Sequence, residues 1–178
     1  MPAPFPVVLL PHDPAWAEAA RREAERFTAC LPAGAVTHVH PIGSTSIPGI
    51  RAKPILDLLP VAPRLEALDE AAAALEAAGY VAWGEYGLPG RRFFTRDEDG
   101  RRVAHLHCYA EGSPEITRHL AFRDYLRAHP DVARAYDEEK QRAVRAKSDS
   151  LGYHEEKSAF VKRLEGEALA WARRAGPR

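Results

Sequence analysis

The sequence predicts an α+β protein, a mixed β-sheet over roughly residues 1–110 with flanking helices and a C-terminal helical cap over roughly 113–175. Three observations carry that expectation. Two β-rich runs, Arg91–Arg96 and Arg102–Tyr109, flank the acidic loop Asp97-Glu98-Asp99-Gly100, a hairpin signal. A hydroxyl-rich turn, Gly43-Ser44-Thr45-Ser46, precedes an apolar run, Pro54–Val61, that carries a single acid, Asp57. After Ser113-Pro114 the apolar residues take up helical spacing.

The elements follow in order. Val7–Leu10 reads as an edge strand or an extended arm. Asp13-Pro14 is an N-cap followed by a first-turn proline, and a helix runs from about Pro14 to Cys30. Val36–Ile42 is a strand leading into the Gly-Ser turn; Ile47–Lys53 is a short helix or a loop, since Pro48 interrupts it. In Pro54–Val61 the side chains alternate, so Ile55, Asp57 and Leu59 share one face and Leu56 and Leu58 the other. Pro63–Ala78 is a helix stopped by Gly79, and Tyr80–Glu85 a strand. Three helices close the chain: Pro114–Ala128, capped by Ser113, then Pro130–Lys147, then about Gly152–Arg174.

Composition bounds the function. The 178 residues suit a single domain spanning 1–178, and 25 basic residues balance 25 acidic ones, leaving no net field to recruit nucleic acid. Cys30 and Cys108 have no metal-binding or redox spacing and read as free thiols of a cytoplasmic protein. No stretch has the length and apolarity of a membrane span, and Met1–Leu10 lacks the pattern of a signal peptide.

The chemistry converges on the Gly-Ser turn. Ser44, Thr45 and Ser46 offer hydroxyls, Gly43 allows close backbone approach, and Lys53 adds a flexible charge, a set that suits phosphate or carboxylate. The plainer alternative is a polar turn before a core strand, with Asp57 bonded to a backbone amide, because a buried acid needs a partner. Arg91, Arg92, Arg118, His119, Arg123 and Lys157 are candidate anion binders, against an ordinary solvated charged face. Tyr80, Trp83 and Phe93 could stack on a base, with core packing as the default.

Gly43-Ser44-Thr45-Ser46-Ile47-Pro48-Gly49 and Ala52-Lys53-Pro54-Ile55-Leu56-Asp57 together resemble the signature of the GrpB family. Further blocks extend the resemblance over nearly the whole chain: Arg91-Arg92-Phe93-Phe94, His105-Leu106-His107, Arg118 to Arg127, and Tyr153 to Phe160 around Lys157. Members of that family are also found fused behind some bacterial dephospho-CoA kinases. The resemblance implies a fold like that of the nucleotidyltransferase (polymerase beta) superfamily, whose enzymes hold triphosphate on a Gly-Ser turn and metal on two acids two residues apart. Here the second position is Leu59, which removes a ligand and a charge from a two-metal site. The resemblance also sets His105 and His107 near Asp57, a donor set suited to Mn²⁺, Fe²⁺ or Zn²⁺ and poorly to Mg²⁺, with His107 as an alternative general base. It adds weight to Arg92, Arg118 and His119, read above as anion binders, without assigning them a role. His38 and His40 form a second pair, but Pro41 stands where the family carries a histidine.

Three functions are expected to compete. One is nucleotidyl or phosphoryl transfer, with Asp57 and His107 catalytic and the Gly43–Ser46 turn on phosphate. Another is a non-catalytic module for a nucleotide or coenzyme A-like ligand. The last is an assembly role, with Tyr136, Val144, Phe160 and Leu164 as the partner surface.

Overall fold

A computed structural model describes residues 6–147 and 149–176 of the chain. Met1–Phe5, half of the stretch read above for a signal peptide, lie outside the described residues. Strands β1 (His38–Ile42), β2 (Leu56–Ala62), β3 (Tyr80–Ala82), β4 (Arg91–Glu98) and β5 (Arg101–Ala110) form one mixed sheet in the order β1-β2-β5-β4-β3. Only the central β2–β5 pair is parallel; the others are antiparallel. The β4–β5 hairpin closes on Asp99 and Gly100, both at positive φ (50° and 73°), as a two-residue turn with matching twist requires.

Alternation along these strands divides the molecule. On one face Leu58, Ala62, Phe94, Leu106 and Cys108 are buried against Phe27 of α1 (Ala15–Ala29) and against Leu68 and Leu75 of α2 (Glu66–Glu70) and α3 (Ala72–Ala77). Glu23 is buried there too, bonded to Arg96 at 2.8 Å and to the Tyr80 hydroxyl at 2.9 Å, which removes the cost of an unpaired core acid. The opposite face meets α4 (Pro114–Ala128), α5 (Pro130–Ala146) and α6 (Ser150–Ala175). Ile42, Leu59 and Tyr109 pack there against Ile116 and Leu120 of α4.

The helical cap agrees with the expected boundaries within a residue or two, and Ser113 Oγ accepts from the Glu115 amide as its N-cap. Elsewhere the structure is finer than the expectation. Pro63–Ala78 is two short helices, because Ala71 (φ −89°, ψ 7°) leaves the helical region. The strand Tyr80–Glu85 shrinks to Tyr80–Ala82, since Gly84 turns the chain at φ +61°. Val7–Leu10 is an extended arm, bridged at Leu10 to Ala52 and at Pro6 to Asp149.

Ile47–Lys53 is a loop, not a helix. It is fixed from beneath by Asp137, whose carboxylate accepts from the Arg51 amide and guanidinium at 2.7 Å each, and by Lys140, which donates to the Arg51 carbonyl. Tyr136 and Leu164, expected on a partner surface, are buried instead with Ile47, Ile50 and Leu126. The reason is that the cap must itself cover this loop. No helix among the described residues is long and apolar enough to cross a membrane.

Candidate functional site

Between the second face of the sheet and the helical cap lies a cavity of about 590 Å³. Its floor follows from strand register. Asp57 stands opposite Ile42 on one side and His105 on the other, and His107 lies two residues along β5 on the same face. Asp57 Oδ1 is 3.2 Å from His105 Nδ1 and 3.5 Å from His107 Nε2. Gly43 arches over the acid: at φ +65° it is left-handed, and a Cβ there would stand 2.4 Å from Asp57 Oδ2. Glycine is therefore required twice at this position, for its backbone and for its missing side chain.

Charge follows from these contacts. Burial pushes the Asp57 carboxyl up, but hydrogen bonding with His105 and His107 outweighs it and holds the group well below the usual carboxylate range. Burial pushes His107 down, with Asp57 opposing. His119, 5.6 Å from His107 between ring centroids, is pushed down to about 3 by burial and by Arg118 beside it. Burial also lowers Lys53, against the pull of Asp57.

Of the residues singled out from sequence, Gly43, Ser44, Thr45, Lys53, Asp57, His105, His107, Arg118, His119 and Lys157 line the cavity. Ser46 and Arg92 do not. Ser46 Oγ turns back to the Gly43 carbonyl at 2.7 Å, closing the 3-10 turn Ser44–Ser46, while its own carbonyl accepts from Arg127. Arg92 points to the other face of β4, where it grips Asp69 of α2 through two bonds of 2.7 and 2.8 Å. Its neighbour Arg91 takes the cavity side. Arg118 reaches the cavity but is bound by Glu115 and Glu165 and faces His119 Nε2 at 3.1 Å, so it acts inside the wall as a tie between α4 and α6. Arg123 donates to the Pro41 carbonyl at 3.0 Å, away from the floor. His38 and His40 stack on each other on β1, opposite Val61 and Leu59, and do not join the cluster at Asp57.

Leu59 shows why no second acid stands beside Asp57. It shares the face of Asp57 but is fully buried with Ile42 and Tyr109 beneath α4, so the expected ligand position is apolar core. Tyr80 and Trp83 stay out of the cavity, Tyr80 bonded to Glu23 and Trp83 to Thr95, whereas Phe93 lines it with Tyr86 stacked on it at 5.2 Å. Sequence reasoning missed Tyr86, Leu88, Arg102, Tyr153, His154 and Glu165 in the lining. Three glycines in one short segment, Gly84, Gly87 and Gly90, were the available signal for the loop that brings Tyr86 and Leu88 over the site.

Asp57, His105 and His107 form the one grouping of three metal-ligating side chains among the described residues, with donor atoms within 4.8 Å of one another. The inner atoms, two imidazole nitrogens and a carboxylate oxygen, suit a borderline divalent ion. The outer nitrogens do not. Metal-bound imidazoles usually donate their remaining N–H to a carboxylate or carbonyl. Here His107 Nδ1 faces Arg91 Nη1 at 3.3 Å and His105 Nε2 faces Arg102 Nη1 at 3.4 Å. Cations stand where a metal site needs acceptors for those outer N–H groups, and the residues present fit a metal poorly.

The family model described as GrpB protein matches residues 6–167. The crystal structure of the conserved protein GrpB from Enterococcus faecalis is similar at a TM-score of 0.85 and 38% identity, covering 93% of this chain and 100% of that one. The UPF0157 protein YqkA of Bacillus subtilis is 38% identical over 166 residues, 93% of this chain and 48% of the relative. A protein named dephospho-CoA kinase in Mycolicibacterium paratuberculosis is 28% identical over 197 residues, covering 96% of this chain and 48% of that one. The chain thus spans about half the length of these last two relatives.

Proposed function

The chain belongs to the GrpB protein family, and from that premise and its cavity we propose that it binds a small phosphorylated ligand, of the nucleotide or coenzyme A class, without a divalent metal. The observation that carries this reading is the pair Lys53 and Lys157, whose ammonium groups both lie on the Tyr153 ring, 5.6 and 4.7 Å from its centroid, at the edge of the same cavity as the Gly43–Thr45 turn. Two cations set against one ring in the lining of one cavity attract an anion. Lys53, Lys157 and the Gly43–Thr45 turn line the cavity together and supply its polar grip. Phe93, Tyr86 and Leu88 supply an apolar wall of the kind that covers the uncharged part of a ligand. The relative named dephospho-CoA kinase makes coenzyme A and its precursors the first ligands to try.

A second reading, nucleotidyl or phosphoryl transfer at Asp57, rests on the nucleotidyltransferase-like fold that the family resemblance implies and runs against the poor fit of these residues to a metal.

Thermal shift separates the two. A ligand at about 100 times its dissociation constant adds roughly 2.7 kcal/mol, about 5–10 °C for a chain of this length. Nucleoside phosphates and coenzyme A fragments are screened with EDTA or with Mn²⁺, Zn²⁺ or Mg²⁺, on wild type, Lys53→Ala, Lys157→Ala and Asp57→Asn. A shift that persists in EDTA and disappears in both lysine variants is expected. A shift seen only with metal, lost in Asp57→Asn and accompanied by turnover, would replace binding with transfer.

A further inference from the structure

We infer that Arg91 and Arg102 are positioning residues that hold His107 as its Nε2–H tautomer and His105 as its Nδ1–H tautomer, so that Asp57 is clasped by two imidazole N–H groups and the triplet rejects a divalent cation. A guanidinium carries only donors and keeps its proton, whereas an ionised carboxylate only accepts. Each ring stands between one of each. His107 has Arg91 Nη1 at 3.3 Å on Nδ1 and Asp57 Oδ1 at 3.5 Å on Nε2. His105 has Arg102 Nη1 at 3.4 Å on Nε2 and Asp57 Oδ1 at 3.2 Å on Nδ1. The nitrogen facing the arginine must present its lone pair, and the single proton of a neutral imidazole then points at Asp57. The motif recurs at His119, whose Nε2 faces Arg118 at 3.1 Å.

A cation on Asp57 would need the inner lone pairs. Freeing them moves both protons outward, against Arg91 and Arg102, and Arg91 has little room to yield. It is 5% exposed, with Nε on the Glu85 carbonyl at 3.1 Å and Nη2 on the Tyr86 carbonyl at 2.7 Å. Arg102 is held in turn by Asp97. The same bonds tie the loop over the cavity to the floor, so the arginine that sets the His107 tautomer also fixes Tyr86. These tautomers belong to the ligand-free protein and do not depend on which ligand the cavity takes.

The test is a long-range ¹H–¹⁵N correlation of the imidazoles in ¹⁵N-labelled full chain at neutral pH, assigned with His105→Gln and His107→Gln, followed by calorimetric titration with Zn²⁺ and Mn²⁺. The expected spectra show His107 protonated at Nε2 and His105 at Nδ1, with no stoichiometric uptake of either ion at micromolar concentration. Arg102→Lys, which restores a donor, keeps the His105 pattern. Arg102→Leu loses it and gains about 10–100-fold in Zn²⁺ affinity, the scale on which outer partners of a metal histidine act. The opposite tautomer at either histidine, or tight stoichiometric metal binding by wild type, overturns the inference. Neither result bears on whether a phosphorylated ligand binds through Lys53 and Lys157, which the thermal shift reads separately.

Discussion

The two faces of the sheet are built from the same strands and meet helices on both sides, yet one is closed and the other holds a cavity. On the closed face Leu58, Leu106 and Cys108 are each fully buried against α1–α3. One residue along in either direction, the strands present Asp57, His105 and His107 to the cavity. The difference lies in what covers them. α1–α3 settle directly onto the apolar face, whereas α4–α6 close around their own cluster of Tyr136, Leu126 and Leu164 and touch the sheet mainly at Ile42, Leu59 and Tyr109. Polar strand positions are tolerated where the cap stands off, and they are compensated pairwise by the arginines and the acid.

Leu106→Ala tests the closed face and should have the largest effect on stability. Truncating a fully buried leucine there should cost about 4 kcal/mol, near the upper part of the usual range, and lower the melting temperature by about 10 °C. The ligand-induced shift of the folded protein should survive; its loss would mean that the two faces are coupled and that the division drawn here is wrong.

Gly43→Ala strikes the cavity face at its tightest point. A left-handed backbone and a Cβ 2.4 Å from Asp57 Oδ2 together should cost about 3 kcal/mol. Here the ligand shift should vanish with the stability, because the turn must move off Asp57. Calorimetric melting with and without ligand reads both quantities, and an unperturbed ligand shift would separate the turn from the site.

Acid should weaken the cavity face before the core. His119 is pushed from its ordinary 6.5 down to about 3, by burial and by Arg118, His107 and Arg91, with Asp57 opposing. Between those values the unfolded chain takes up a proton that the folded chain refuses, so stability is complete above pH 6.5 and falls as pH drops toward 3. Urea unfolding from pH 7 to 5 should show that decline, and His119→Gln should flatten it, by at most about 1.4 kcal/mol per pH unit. An equal slope in both proteins would show that His119 is protonated in the fold.

Much of this arrangement was legible in the residues. The alternation of Ile55, Asp57 and Leu59 against Leu56 and Leu58 depends only on strand pleating, and the structure keeps it. The Gly-Ser turn, the hairpin at Asp99-Gly100 and the cap of α4 at Ser113 are local chemistry and were visible locally. The cavity wall was not. Tyr153, His154 and Glu165 come from a helix whose phase relative to the sheet is set by packing, and Arg102 reaches His105 across a bulge between Arg96 and Asp97 that shifts the register. What an arginine does also depends on its partner: Asp69 lies 23 residues from Arg92, and nothing in the intervening sequence marks them as a pair.

Arg91 and Arg92 give the smallest and sharpest test of the two faces, since they are adjacent, alike and directed oppositely. Arg92 bonds Asp69 in two places, but its side chain is 25% exposed and that of Asp69 48%, and such surface pairs contribute only about 0–1 kcal/mol. Arg92→Ala should therefore shift the melting temperature by no more than about 3 °C and leave the ligand-induced shift intact. Arg91→Ala removes the donors on His107 and on the Glu85 and Tyr86 carbonyls, and should loosen the loop over the cavity and diminish the ligand shift. If instead Arg92→Ala diminishes ligand binding, the phosphorylated ligand must reach the closed face or its edge, and the cavity between sheet and cap would no longer be the site.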